Sequence, residues 1–501
     1  MTSTAEYKID FTNFQNVINN KLTSTAETRH GVNPSTEENL PEVPVSGQEE
    51  VDQAVAAARA AYPAWRLKTW DERSACVQKL ADAIEANHDE IRDLLVNESG
   101  KAFSTANMEM QFAIGHLRVT SGLRIPDETV EDTDERTAVV RYRPLGVGCA
   151  IVPWNWPLLL GVGKIGPGVM AGNSVIVKPS PFAPYTLIKV AELAAKIFPP
   201  GVIQVLSGDE SLGPRLTLHP GINKVSFTGS TATGKKVAEA CAKTVKRVTL
   251  ELGGNDAAIV CDDADLAKVV PKVCPAPDNG YFNVYIKPFQ QVSTLALISS
   301  GQICMNVKRI YVHEKIYDDF LKAMVDFIGN NLKSGPAADP NTGVGPVQNS
   351  MQYAKVLNLY EAAEKEGWKI ATGGLKEKKE GKGFILPPTI IDDPAEGSRI
   401  EAEEPFGPIL PVMRWSNEAD VVRRANGFDS GLGASVWSSD IAKATKIADQ
   451  LEAGSVWVNT HFEVGPHMPF GGHKQAGLGM EWGVVGLKGW CNPQAFWTRK
   501  D

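Results

Sequence analysis

Four short stretches of this sequence carry residue types that together could run covalent chemistry on a carbonyl. Ser300-Gly301-Gln302-Ile303-Cys304 sets a cysteine just after a glycine. A thiolate there is a nucleophile if a nearby base or dipole lowers its pKa. Glu251-Leu252-Gly253-Gly254-Asn255 ends an apolar strand with a glutamate, and desolvation at such a place raises a carboxyl toward general-base range. In Pro153-Trp154-Asn155-Trp156-Pro157 the Asn155 amide is able to donate to an oxyanion. In Thr228-Gly229-Ser230-Thr231-Ala232-Thr233-Gly234 the glycines allow a phosphate to approach a helix N-terminus. Each stretch has an ordinary alternative: a small buried cysteine, a surface carboxylate, an asparagine helix cap, a tight strand-to-helix turn. The last turn comes near GxxxxGK[ST], but Lys236 stands where a P-loop needs a hydroxyl for Mg²⁺, which argues against an NTPase.

The elements that must position these residues follow from hydrophobic periodicity. After a polar leader, Val51, Ala54, Val55, Ala58 and Ala61 recur at helical spacing, and Asp71 to Glu98 continues likewise. A β-branched run at Ala138 to Tyr142 ends at Pro144. Strands are then predicted at 147–153, 173–180, 202–208, 223–229 and 247–252, with helices at 158–170, 185–197, 211–218 and 231–242 between them. Such alternation predicts an α/β fold with a doubly wound parallel sheet, helices on both faces and ligands beyond the carboxyl strand ends. Asn155, Lys178, Gly229 and Glu251 all fall at or near those ends. A second α/β region runs from about Asp256 to Pro469, with helices at 316–332 and 351–366 and strands at 434–438 and 454–459.

Composition narrows the class. At 501 residues, more than one core is expected. The apolar content of 43% and charged content of 22% are ordinary globular values, which exclude wholesale disorder. A net charge of −8 argues against nucleic-acid partners. The seven cysteines (76, 149, 241, 261, 274, 304, 491) lack CxxC spacing, so neither a disulfide framework nor structural zinc is expected. The opening residues show no secretory signal, and the apolar run near Trp154 to Gly161 is too short to span a bilayer. A cytoplasmic protein without a membrane segment is expected.

Taken in order, PWNWP (153–157), VKPS (177–180), FTGST (227–231), ELGGN (251–255), SGQIC (300–304), EEPFGP (403–408) and PFGG (469–472) closely resemble the NAD(P)-dependent aldehyde dehydrogenase superfamily. The resemblance covers nearly the whole chain. It implies a dinucleotide-binding domain at 1–122 and 145–253, a catalytic domain at 254–470, and a small β oligomerisation arm at 123–144 and 484–501. It casts Cys304 as the nucleophile that carries a thioester, Glu251 as the base that activates water, and Asn155 with the Cys304 N–H as the oxyanion hole. Lys178 would grip the adenosine ribose, and Ser230 with the Gly229–Gly234 turn would receive the pyrophosphate. Glu404 would hold the nicotinamide ribose with Phe406 beside the ring. Val152, Pro153, Trp154, Ser180, Pro181, Gly208, Phe227, Thr228 and Leu252 complete the implied cofactor contacts, and no metal is required. The tail Gln494 to Thr498 would pair beside Val139 to Arg143, giving a homodimer or homotetramer. The implied channel comprises Trp156, Leu160, Gly163, Ile303, Met305 and the loop 460–468, with His461, Glu463 and His467 near one wall. No arginine stands out to clamp a carboxylate, so the expected substrate is a neutral aliphatic or aromatic aldehyde. Gly163, where some relatives carry a bulkier residue, would widen the tunnel.

Two departures stand out. Pro181 occupies the place where many NAD-preferring relatives carry a ribose-binding glutamate, so NAD is expected on family frequency, with NADP possible. From Glu251 to Cys304 the spacing is 53 residues, longer than the family pattern. The excess is VCPAPDNGYFNVYIKPFQQ (273–291), with prolines 275, 277 and 288 and the turn pair Asn279-Gly280. Excising it leaves an uninterrupted helix-like run into the nucleophile. Two readings follow: a tolerated surface loop, or the translation of a retained in-frame intron. On the second reading the chain would bind dinucleotide but be catalytically impaired.

Overall fold

The computed structural model describes residues 7–266, 270–274, 282–286 and 288–500. One eight-stranded sheet has five parallel strands at its centre, in the order Ile203–Val205, Ser174–Lys178, Val147–Ile151, Lys224–Thr228 and Arg247–Glu251. The inner strands are buried on both faces, and their side chains alternate between two cores as strand geometry dictates. Val175 and Val177 join the core built on the helices Trp70–Ala86, Phe103–Gly122, Pro157–Met170 and Tyr185–Ala195. Ile176, Cys149 and Val225 join the opposite core, under Gln48–Trp65, Leu212–Leu218 and Thr231–Ala242. The expected doubly wound sheet is therefore present.

The polar leader is not merely a leader. Asn16–Ile18 adds antiparallel to Ile203–Val205, with Lys21–Thr23 outside it, and Gly477–Leu478 closes the other edge. Periodicity gave no hint of these three-residue or two-residue strands, which are too short to show a pattern.

The second sheet runs Ile370–Thr372, Thr389–Asp392, Ile409–Trp415, Val307–His313, Asp256–Val260, Gly433–Trp437 and Ser455–Val458. It is parallel apart from its first strand. A third sheet pairs Cys491–Arg499 with Arg136–Pro144 and Glu128–Asp132. Gln494 to Thr498 lies opposite Arg141 to Thr137, two residues earlier than expected. Among the described residues no helix is long and apolar enough to cross a membrane.

The extra segment does not interrupt a helix. Val270–Cys274 and Phe282–Ile286 pair as an antiparallel hairpin, and a helix then runs from Pro288 to Leu297. The last four residues of 273–291 thus form its opening turn, where a proline is tolerated because the missing N–H would lack an intrahelical acceptor anyway. Pro275, Pro277 and Asn279-Gly280 lie outside the described residues.

One buried carboxylate joins three elements. Glu109, fully buried in the helix Phe103–Gly122, accepts the Leu158 and Leu159 N–H groups at 2.9 and 3.1 Å. It thereby caps the helix Pro157–Met170, and its other oxygen lies 2.9 Å from the buried Lys101 Nζ. Glu109→Leu strands that ammonium and is expected to cost about 3–5 kcal/mol. Urea unfolding checks it, and Glu109→Gln, which keeps the helix cap, should lose clearly less.

Candidate active site

The loop that leads to Cys304 is held in an unfavourable backbone shape. Beyond the helix Pro288–Leu297, Ser299, Ser300 and Gly301 adopt positive φ of 53°, 58° and 72° in succession. Non-glycine residues in that region cost about 1–3 kcal/mol each and persist only where surroundings over-determine them. Here Ser300 Oγ donates to Gly345 O at 2.6 Å, and Gln302 Nε2 donates to Ser299 O at 3.0 Å and Pro346 O at 3.3 Å. Gln302 Oε1 accepts from Gln348 N at 2.9 Å. Gly301 is required twice over, since a Cβ there would lie 2.2 Å from Gly407 O. The outcome is Cys304, 9% exposed.

Glu251 closes the neighbouring strand and is 1% exposed. Neither carboxylate oxygen has a hydrogen-bond partner of normal geometry, and the groups facing it are the Cys304 thiol and the Thr228 hydroxyl. Burial pushes its pKa up to about 7, opposed by the Cys304 thiol and by Lys164. Cys304 is pushed well above the usual thiol range, first by burial and then by Glu251, with Lys308 acting in the opposite sense. Asn155 is no helix cap. Its Nδ2 donates to Gln302 O at 3.0 Å, and its own carbonyl accepts from Lys101 Nζ. The structure therefore brings the three catalytic candidates together.

Cys304 and Asn155 line an apolar pocket with Trp156, Leu160, Ile303, Met305, Phe462 and Val464, all expected from sequence, and with Phe112, Leu159, Phe470 and Trp482, which were not. Gly163 does not widen it. A Cβ there would meet Trp482 Nε1 at 2.8 Å, so the indole already fills that space. His461 is buried behind the wall, its Nε2 2.9 Å from Met305 O and its pKa pulled down to about 4 by burial. Glu463 and His467 are exposed and do not line the pocket.

The cofactor candidates follow the carboxyl edge of the first sheet. Lys178 ends its strand 6% exposed, with Nζ 3.3 Å from Pro179 O, and burial pulls its pKa down to about 8. Val152 N donates to Lys178 O at 3.0 Å, linking the two strand ends, and Ser180 is buried just beyond, with Pro181 half-buried after it. Ser230 caps the helix Thr231–Ala242 through Thr233 N at 3.3 Å and is itself exposed. The glycines of this region answer to protein packing: a Cβ at Gly229 would meet Phe227, at Gly234 Leu252, and at Gly208 Leu212, each within 3 Å. Glu404 Oε1 accepts Gly254 N at 3.3 Å and lies 3.1 Å from Lys308 Nζ. Phe406 (φ 49°) meets Trp154 edge-on at 5.5 Å. A groove lined by Thr231, Gly253, Gly254, Glu404, Asp429 and Gln475 opens alongside. A buried ammonium, a helix N-terminus and a carboxylate spaced along one edge fit an extended dinucleotide. Sequence reasoning missed Lys101, Glu109, Lys164, Lys308 and Glu481. Their signal was a charge within an apolar run, as in LLLGVGKIGPGVM and VKRIYVH.

The family model described as aldehyde dehydrogenase family matches residues 22–276 and 287–496. The break, 277–286, falls inside the extra segment. Aldehyde dehydrogenase LUC3 of a Fusarium sp is 41% identical across 98% of this chain and all of that protein. Retinaldehyde dehydrogenase 3 of Rattus norvegicus is 37% identical across 91% of this chain and 86% of its own. The NAD+ complex of an aldehyde dehydrogenase from Bacillus cereus superposes with a TM-score of 0.90 at 32% identity, covering 97% of each chain.

Glu251 also makes a stability prediction. With its pKa raised from 4.5 to about 7, the folded state keeps a proton that the unfolded state loses across that window. Stability therefore falls as pH rises from 4.5 to 7. Glu251→Gln removes that loss. Its thermal midpoint should exceed the parent's at pH 8, and the gain should shrink toward pH 5.

Proposed function

The chain belongs to the aldehyde dehydrogenase family and is an NAD(P)-dependent aldehyde dehydrogenase, and from there we propose how its own residues carry the oxidation. Cys304 Sγ attacks the aldehyde carbon and its proton passes to Glu251. The oxyanion accepts hydrogen bonds from the Cys304 N–H and from Asn155 Nδ2, which has a second N–H beyond the one given to Gln302 O. A dinucleotide held by Lys178, Ser230 and Glu404 would supply the hydride acceptor. Loss of hydride re-forms the carbonyl as a thioester on Cys304. Glu251 releases that first proton to solvent and then takes one from water as its hydroxyl oxygen adds to the thioester; the C–S bond breaks, Cys304 departs as the thiolate and the acid leaves. The observation that carries this reading is the pair of Cys304 and Glu251 facing each other, both buried, with the Asn155 amide hydrogen-bonded to the Cys304 loop at Gln302 O.

Lys178 and Ser230 would hold the adenosine ribose and pyrophosphate, and Glu404 the nicotinamide ribose. NAD is the proposed cofactor. Pro181 offers the ribose no carboxylate, but Glu210 and Asp209 both act electrostatically on Lys178, against Arg29 alone in the other sense. A 2′-phosphate brought there would meet those two carboxylates beside the two cations, Lys178 and Arg29, and so would gain no net attraction. The substrate is a neutral aliphatic or aromatic aldehyde, because the pocket is lined by apolar side chains with no arginine or lysine. The proposed division into a dinucleotide-binding unit (1–122, 145–253), a catalytic unit (254–470) and an arm (123–144, 484–501) is supported by the three larger sheets, except that the edge strand Gly477–Leu478 of the first lies outside all three units. A homodimer or homotetramer through the arm is supported by the exposure of Phe496 and Trp497 on its outer strand.

Aldehyde-dependent formation of reduced cofactor by the purified chain tests the mechanism. Neutral apolar aldehydes should outpace ω-carboxylated ones, and Cys304→Ala should abolish turnover. Glu251→Gln leaves both the thiol and the water without their proton acceptor, so the first burst of reduced cofactor should slow and steady turnover should fall further still. Full turnover by Cys304→Ala would refute the reading.

The alternative of an impaired chain is tested by excising 277–286. The hairpin precedes the helix that leads into the nucleophile, and that helix is complete. Turnover should therefore be unchanged by the excision. A severalfold gain in the shortened chain would mean that the segment is inhibitory.

A further inference from the structure

Lys308 belongs to no catalytic step described above, yet it is 4% exposed by side chain and reaches three acceptors around the nucleophile. Its Nζ donates to Ile303 O at 2.8 Å and to Cys304 O, and lies 3.1 Å from Glu404 Oε1. The Ile303 carbonyl belongs to the same peptide unit as the Cys304 N–H. In a trans peptide the C=O and N–H point opposite ways, and no cis bond occurs among the described residues. Holding that carbonyl on Lys308 therefore aims the Cys304 N–H away from the ammonium. A cation on the carbonyl also polarises the peptide and strengthens its N–H as a donor.

We propose that Lys308 is a positioning residue, which fixes the peptide whose N–H serves the oxyanion and ties it to Glu404 in the cofactor groove. This rests on the reading of Cys304 as the nucleophile. Anchorage from the next strand suits the role. Lys308 sits at a β-bulge in Val307–His313, and its neighbours Val307 and Arg309 register with Asp256 and Ala257, so the sheet holds it from both sides while the loop it steadies is strained. The ammonium also opposes the upward push on the Cys304 thiol.

Two variants separate orientation from charge. Lys308→Met loses both, whereas Lys308→Gln retains a donor without the cation. For Lys308→Met, kcat for aldehyde oxidation should fall by about 10–100-fold with little change in aldehyde KM, as for a weakened oxyanion donor. Lys308→Gln should recover part of that kcat. In the cofactor-free protein, the pH profile of Cys304 alkylation by iodoacetamide should move upward in both variants, because both lose the charge. Unchanged kcat and an unmoved alkylation profile in Lys308→Gln would overturn the proposal, even if Lys308→Met fails to fold. If Cys304→Ala turns over, the nucleophile reading fails first and takes this inference with it. If Cys304→Ala is dead and both Lys308 variants match the parent, this inference alone fails.

Discussion

A thiol and a carboxylate buried against each other cannot both be anionic. That constraint governs the rest of the site. Burial raises both, and the Glu251 carboxylate raises the Cys304 thiol further, so between them they hold a proton until a substrate redistributes the charge. Water would relieve the conflict, and the apolar pocket walls keep it scarce. The compensation comes instead from buried lysines that arrive with carboxylate partners: Lys164 with Glu481 at 2.9 Å, Lys308 with Glu404 at 3.1 Å, and Lys101 with Glu109. Such pairs impose a local field without leaving a bare charge in the interior.

Backbone pairing brings the two acids together. Glu251 ends the first sheet's last parallel strand, and after Leu252-Gly253-Gly254 the chain enters Asp256–Val260 of the second sheet. Asp256 is in register with Val307, and Cys304 lies three residues before Val307. The Cys304 loop must therefore pass beside the turn that follows Glu251. Contact is close enough that a Cβ on Gly254 would lie 2.8 Å from Cys304 O. Everything between these fixed points is a crossover. Its length enters the energetics weakly, since loop-closure cost grows only with the logarithm of length. That explains how 277–286, outside the family match, sits in the chain while Cys304 and Glu251 still meet.

The strain of Ser299 and Ser300 is the counterpart of that arrangement. A relaxed turn would not direct Cys304 at Glu251, so the backbone is forced and then held from outside by Gly345, Pro346, Gln348 and the passing backbone of Gly407. The rigid parts carry the loop, and the loop carries the candidate nucleophile.

Periodicity over long segments was enough to fix the parallel sheet, its covering helices and the candidates at its carboxyl edge, because residues alternating on a strand or recurring on a helix report burial directly. Motif chemistry singled out Cys304, Glu251 and Asn155 as candidates, and the structure brings them together. The identity of a residue could not reveal what lay across from it. Gly229 and Gly234 read as phosphate-approach glycines but are demanded by Phe227 and Leu252, and Gly163 read as a widened tunnel but faces Trp482. The leader strands were too short for a pattern, and the break expected in the helix before Cys304 is a hairpin ahead of it. Buried lysines were visible only as anomalies in apolar runs, since their partners lie far along the chain, as Glu481 does from Lys164. Sequence by itself determined which groups could react and which elements carry them. Only the tertiary structure decided which charges neutralise which, because electrostatics and close packing act through space between residues whose separation along the chain says nothing of their distance.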